Sequence, residues 1–403
     1  MKILFVTDAG DETGIGGHLY TVQSLVEALS PRAECVVVSI GSVPSPALES
    51  LGCRKHRLAF GGGKSRRAEM ARFMEIVREE KPDVIHAFDP IACAFARVAA
   101  WRSACGLVLT KCGGPDPAGR WPYAYFPRVE RLVLFSRENE RYFRSRRRFR
   151  RTRIWRIPNR ILEVKSDPGM LASLRERLDP ARPVLLRVGR ISTSYARTAE
   201  QSIRLAKRLV ADGVPVQLVF LGAVQDAGVE KAIAGSLGTL GKVISDPMLV
   251  RQASALLDAG DLVVGTGRGL MEAAARGRIV LVPARQGLLP ALVDADNWER
   301  LFDANFSERS EVVPWDEERN YAEIRRVLAD PECRRALSAF NRKLYEEHFS
   351  LERVVDQYLA IYREATPPES GRIADLAAHW IWMVWRTRNR PIIVRQIRGA
   401  EPA

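Results

Sequence analysis

No two cysteines of this chain form a C-x-x-C pair, and none of the six stands at a spacing that suits zinc. Several lie in apolar runs; Cys35 directly precedes Val36, Val37 and Val38. Buried, reduced thiols are therefore the expectation, as in a cytosolic protein. There is no window of about 18 apolar residues, so nothing should span a membrane. The chain opens with Met1-Lys2-Ile3-Leu4-Phe5-Val6, a strand pattern too short and too quickly polar for a signal peptide, which predicts a cytoplasmic protein. Acid is also in deficit: 48 Asp and Glu face 62 Lys and Arg, a formal charge of +14. Such a balance favours anionic partners, whether nucleic acid, acidic lipid or phosphorylated ligands. No helix-turn-helix, zinc-finger or RNA-binding aromatic signature supports nucleic acid, which is not expected as a partner.

What is present is an ordinary globular composition, 46% hydrophobic and 27% charged over 403 residues, enough for two domains. Strand and helix patterns alternate. Residues 3–7 form a compact apolar run, and 19–29 have helical spacing. Residues 36–40 read as a second strand and 68–80 as a helix stopped by Lys81-Pro82. Short buried strands follow at 83–86, 107–110 and 131–136. The plan then restarts, with strands at 183–189, 216–221, 262–264 and 279–282 and a helix at 199–212. Buried strands joined by helices predict parallel βαβ units, an α/β fold of two Rossmann-like halves. Proline and polar residues collect from Ile157-Pro158-Asn159 to Pro168. The expected division is a first Rossmann-like domain over 1–163 and a second over 164–340. A helix over 341–365 is expected to cross back to the first domain, and a basic amphipathic tail to fill 366–403.

Two glycine loops follow strands, one per half. Gly14-Ile15-Gly16-Gly17 comes after the first strand; Gly265-Thr266-Gly267-Arg268-Gly269 comes late in the second half and opens a helix over 270–275. Glycine lets backbone approach a phosphate, and a helix N-terminus supplies free N–H groups and a positive dipole end. A dinucleotide dehydrogenase is the obvious rival, but it needs an acid at the end of the second strand. Here that strand ends Val37-Val38-Ser39-Ile40-Gly41, and the first loop lacks the G-x-G-x-x-G spacing.

The residues resemble the retaining glycosyltransferases of family 4 (group 1). Gly16-Gly17 followed by an amphipathic helix is similar to that family's glycine-glycine start. Lys81-Pro82-Asp83-Val84-Ile85-His86-Ala87, Leu132-Val133-Leu134-Phe135-Ser136, Ile157-Pro158-Asn159, Val188-Gly189-Arg190, and Gly267 with Glu272-Ala273 match further motifs, in order, across about residues 1–365. The resemblance implies a GT-B fold, two Rossmann-like domains with parallel sheets facing an interdomain cleft. It also implies transfer of a sugar, with retention, from a nucleotide-diphosphate sugar to a glycan or lipid-linked glycan. No metal and no cofactor beyond the donor are implied. Gly16, Gly17, His18, Gly189, Gly265, Gly267, Arg268 and Gly269 are then the candidates to hold the donor, and Arg190, Arg197 and Glu272 the candidates for catalysis. The chemistry agrees: a departing diphosphate needs cations and N–H donors aimed at its new charge, and an arginine fork suits phosphate. Glu272, early in the helix after the loop, is placed for ribose hydroxyls.

The sequence departs from the family at three places. Val264 stands where a first motif glutamate belongs, Tyr195 where a lysine belongs, with Arg197 the nearest cation, and Lys111-Cys112-Gly113-Gly114 where a histidine is expected. Two alternatives therefore stay open, a nucleotide-sugar epimerase on the same fold and a non-catalytic GT-B protein that binds glycan or scaffolds an assembly. Asp294-Ala295-Asp296 has a metal-binding D-x-D form but reads as solvated loop acids, and His86 as a satisfied core histidine. Nine arginines and no acid lie between Arg141 and Arg156, interleaved with Tyr142, Phe143, Phe149 and Trp155. In the tail, Ile373, Leu376, Trp380, Ile381, Val384 and Trp385 share a helical face, followed by Arg386, Arg388, Arg390, Arg395 and Arg398. Both stretches suit an anionic membrane surface, which would make the protein peripheral on it.

Overall fold

The computed structural model describes residues 1–9, 16–41, 43–58, 66–114, 126, 128–369 and 377. The chain divides into two units. The first is Met1–Pro158 with the described residues from Leu351 onward; the second is Asn159–Ser350.

Seven strands make the first sheet: β1 (Lys2–Asp8), β2 (Glu34–Ile40), β3 (Arg54–Leu58), β4 (Val84–Phe88), β5 (Gly106–Lys111), β6 (Arg131–Leu134) and β7 (Arg153–Arg156). All pair in parallel in the order β3-β2-β1-β4-β5-β6-β7. The central strands are apolar on both faces; Ile3, Leu4, Phe5 and Val6 are fully buried. This is the pattern a parallel sheet covered by helices demands. The second sheet has six strands: β8 (Val184–Val188), β9 (Gln217–Leu221), β10 (Gly241–Ile244), β11 (Leu262–Val264), β12 (Ile279–Val282) and β13 (Ala291–Leu292). Their order is β10-β9-β8-β11-β12-β13, parallel except for the β12–β13 pair. In each sheet the strand order reverses, between β1 and β4 and between β8 and β11. Such a switch point opens a crevice at the carboxyl ends of the strands, where α/β proteins bind ligands.

The units part at Pro158, earlier than residue 164, because Ile161 is tied into the second one. Its N–H donates to the Phe349 carbonyl at 2.9 Å, it bridges Ser350, and its side chain lies in that core. The stretch expected as one returning helix is two. The helix Pro331–Leu344 runs into a π-helical turn, Tyr345–Phe349, that belongs to the second unit. The helix Val355–Arg363 packs on the first, against β5 and the helix Gly17–Leu29. Beyond it the Thr366 carbonyl accepts from Leu107 N–H, so the described chain ends against the sheet. The amphipathic face proposed for the tail lies outside the described residues.

In the arginine-rich segment the interleaved aromatics are not a surface feature. Tyr142, Phe143 and Phe149 are buried in the first core, with Phe143 edge-on to Phe126 and Phe149. The arginines between them point outward; Arg146, Arg147, Arg150 and Arg151 are exposed.

His86 is the polar residue at the centre of the first sheet. Its Nδ1 lies 2.8 Å from the Tyr362 hydroxyl and its Nε2 2.7 Å from the Thr110 hydroxyl. Phe88 and Phe5 flank the ring, at centroid distances of 4.3 and 5.7 Å. Both nitrogens are spent on hydroxyls in a fully buried site, so His86 is an anchor that joins β4, β5 and the helix Val355–Arg363. Burial pushes its pKa down to about 3. An unfolded chain takes up that proton near pH 6.5, while the folded one refuses it, so stability must fall as pH drops through that window. The loss should approach about 1.4 kcal/mol for each pH unit below about 6.5. His86→Gln, which does not titrate, should flatten that part of a Tm-against-pH curve; equal slopes between pH 6.5 and 4 would contradict this origin.

Candidate functional site

Both switch-point strands of the second unit end in glycine. β8 runs into Gly189, which has φ +145° and donates its N–H to the Leu221 carbonyl at 3.1 Å. β9 ends at Gly222, where an added Cβ would lie 1.9 Å from the Gly189 carbonyl oxygen. The two strand ends therefore touch backbone to backbone. β11 runs into Gly265, whose N–H donates to the Leu281 carbonyl at 3.0 Å. The helix Gly267–Ala275 starts directly after Thr266. Gly267 has φ +52°, a left-handed conformation that favours glycine, and its N–H donates to the Phe306 carbonyl at 3.1 Å. Asn305 and Phe306, with φ +54° and +48°, hold that acceptor in a strained turn. Since β8 and β11 are neighbours, Gly189-Arg190 and the 265–269 loop leave the sheet side by side.

Arg190 reaches across Tyr195: its Nη2 donates to the Tyr195 hydroxyl at 3.0 Å and its Cζ lies 5.3 Å from the ring centroid. Arg197 does not join it in these contacts. It is exposed at the start of the helix Ala196–Ala211 and donates to the Arg285 carbonyl at 2.7 Å. Glu272 is buried, one turn into the helix. Its Oε1 accepts from Arg268 Nε and its Oε2 from the Ser254 hydroxyl, each at 2.6 Å. The carboxylate is thus held in place and its charge compensated from its own helix, while its remaining lone pairs stay open to a donor.

Residues that sequence reasoning did not select also gather here. Arg187 on β8 is buried close to Gly189 and Tyr195. Glu308 receives the Thr198 N–H at 2.8 Å and also its hydroxyl. An arginine inside the otherwise apolar run Val184–Val188 is a signal that was available; Ser254 and Glu308 carry none.

The first glycine loop belongs to the other unit. Gly16 precedes the helix Gly17–Leu29, and His18 folds back over it, with Nε2 2.7 Å from the Asp8 carbonyl. A Cβ on Gly16 would lie 2.9 Å from that ring. Gly14 and Ile15 lie outside the described residues. At the switch point of this sheet Asp89, with φ +65°, accepts from Cys112 N–H at 3.2 Å, a strained residue that the sequence did not single out. Lys111, where the histidine was expected, caps the Gly113 carbonyl at 2.6 Å. Asp294 of the D-x-D stretch accepts the N–H groups of Asp296 and Asn297, at 2.9 and 3.1 Å, which makes it a local turn. Among the described residues no group of three or more His, Cys, Asp or Glu is placed to hold a metal, and no helix is long and apolar enough to cross a membrane.

The family model of the glycosyl transferase 4-like domain matches residues 16–160. The described residues have the GT-B fold. Sucrose-phosphate synthase from Thermosynechococcus elongatus superposes with a TM-score of 0.62, 18% identity, and coverage of 90% of this chain and 98% of that one. Anabaena HepE in complex with UDP-glucose gives 0.63 at 16% identity over 89% and 98%. UDP-GlcNAc 2-epimerase from Neisseria meningitidis gives 0.54 at 11% identity over 89% and 99%. No curated protein sequence matches the chain.

In this GT-B chain the glycines of the second unit serve different ends, which stability can separate. Gly222→Ala drives a Cβ into backbone and should cost at least about 2 kcal/mol. Gly269 meets nothing within 4 Å and lies inside a helix, so Gly269→Ala should be neutral or stabilise by up to about 1 kcal/mol. Urea unfolding of both variants checks this; similar effects at the two positions would contradict it.

Proposed function

We propose that this chain is a glycosyltransferase that moves a sugar from a nucleoside-diphosphate sugar to a glycan or lipid-linked glycan, with retention and without a metal. The observation that carries the reading is the emergence of Arg190 and the 265–269 loop side by side at one switch point. The fold shared with sucrose-phosphate synthase and HepE supports it, as does HepE's complex with UDP-glucose.

The diphosphate lies against the Gly189-Arg190 turn and the N-terminus of the helix Gly267–Ala275, whose first N–H groups and dipole favour an anion. When the sugar departs, the diphosphate gains negative charge, and Arg190, already oriented by Tyr195, stabilises it. Arg197 uses one N–H on Arg285 and keeps others for the same charge. Glu272, fixed by Ser254 and Arg268, receives ribose hydroxyls. The leaving phosphate itself takes the acceptor proton.

Exposed Arg147, Arg150 and Arg151, beside the edge strand β7, suit an anionic membrane surface that presents a lipid-linked acceptor. Each is worth on the order of 1 kcal/mol there. Sedimentation with acidic liposomes at low salt should pellet the chain, and the R147E/R150E/R151E variant should pellet less; equal pelleting would place the contact elsewhere.

Calorimetry against several nucleoside diphosphates tests donor binding; none bound at millimolar concentration would remove the reading. With a donor in hand, Arg190→Ala should lower kcat by about 10² to 10³, whereas Glu272→Gln should mainly raise the KM for donor. Wild-type kinetics in both would displace the site, and conversion of donor to an epimer without acceptor would assign the chain to epimerases instead.

A further inference from the structure

Arg187 has no place in a buried strand unless something outside the sheet calls for its charge. Its side chain lies in β8, with 3% of the residue exposed. In register it stands between Phe220 of β9 and Val264 of β11, neither of which can pair with it. Its Nε and Nη1 are buried without a hydrogen-bond partner. Burial, partly offset by Tyr195 and Glu308, pushes its pKa down to about 10, so it remains charged at neutral pH.

The guanidinium is aimed at the end of the strand. Nη1 sits 2.6 Å from where a Cβ on Gly189 would be, so only glycine there lets it extend so far. Its Cζ lies 5.5 Å from the centroid of the Tyr195 ring, which Arg190 also contacts at 5.3 Å. Two guanidinium groups thus share one ring, and like charges so close repel each other. Arg190 also lowers the Arg187 pKa, while Glu308 is the acid acting on it. Glu308 already receives the Thr198 N–H and hydroxyl. One carboxylate against two guanidiniums leaves a positive charge over. A structural arginine in the same unit behaves differently: Arg182 spends its N–H groups on the carbonyls of Pro215, Val216, Thr239 and Leu240.

We propose that Arg187 and Arg190, on either side of Tyr195, form a two-arginine phosphate site at the end of β8. It rests on the donor reading above and deepens it, making Arg187 the buried member of the pair that holds a phosphate of the diphosphate. A phosphate has oxygens enough for a fork from each arginine, and a dry site strengthens both contacts. Tyr195 separates the two cations and fixes the outer one.

The test compares wild type with Arg187→Met by calorimetry, using inorganic pyrophosphate, UDP and uridine as probes, and measures the ligand-free Tm of each. Wild type should bind pyrophosphate and UDP. The methionine variant should bind both at least tenfold more weakly and leave any uridine affinity unchanged. Its Tm without ligand should equal or exceed that of wild type, because an unpaired buried charge has been replaced by an apolar chain of similar length. Unchanged pyrophosphate affinity would overturn the proposal. So would failure of the variant to fold, or a lower Tm with affinity intact, since each makes Arg187 a packing residue. Wild type that binds pyrophosphate but no nucleoside diphosphate would keep the anion site and remove the donor reading; wild type that binds neither would remove both.

Discussion

A strand buried on both faces accepts a polar side chain only when that side chain finds a partner, and this constraint orders both units. On β4 and β5 of the first sheet the polar groups find partners. His86 meets Thr110 on the next strand and Tyr362 on the last helix, and Lys111, at the end of β5, turns back to a carbonyl. In the second sheet Gln217 bonds the backbone of Asp179 and Arg182. Arg187 of β8 finds no such partner within the sheet, and its guanidinium is aimed at the carboxyl end of the strand. There the backbone turns through glycine, and helices present their first N–H groups.

The same constraint explains what the sequence reveals. Inner strands such as β1, β2 and β12 carry long apolar runs and are legible at once. The strands not foreseen are the two-residue β13 and β3, β7 and β10, with sequences RKHRL, RIWR and GKVI. β3, β7 and β10 are edge strands, and an edge admits charge because one side faces away from the core. The arginine-rich stretch hides β7 for that reason. Three of its aromatics, Tyr142, Phe143 and Phe149, are drawn into the core, while Arg146 and Arg153 stay exposed and lie over the rings of Tyr142 and Trp155. The division falls at Pro158 rather than at 164 because Ile161 bonds to Phe349, nearly at the far end of the second unit, which no local pattern reveals.

At the candidate site, the glycines and Arg190 were legible because each follows an apolar strand directly. The residues that orient them were not. Ser254 and Glu308 lie far along the chain from the groups they hold, Glu272 and Thr198, and no local pattern marks such pairs. Gly222 reads as a simple turn glycine; only the fold reveals that it exists to let the Gly189 carbonyl pass. The contact of His18 Nε2 with the Asp8 carbonyl likewise has no mark in the sequence.

Val264 and Arg187 bear on each other. They are register partners on adjacent strands. The resemblance to family 4 places a glutamate at 264, and in this chain valine stands there. An acid beside Arg187 could pair with it inside the sheet, satisfy the buried cation and cancel its charge. Valine cannot, so the charge persists and is directed along the strand toward Gly189 and Tyr195. Tyr195 occupies the position of the family's lysine, and a second exposed cation there would add to the repulsion between Arg187 and Arg190. A neutral ring instead offers its face to both and its hydroxyl to one. The departures at 264 and 195 are therefore physically coherent with an arginine at 187: one leaves its charge unneutralised within the sheet, and the other lets two cations stand together at the end of one strand.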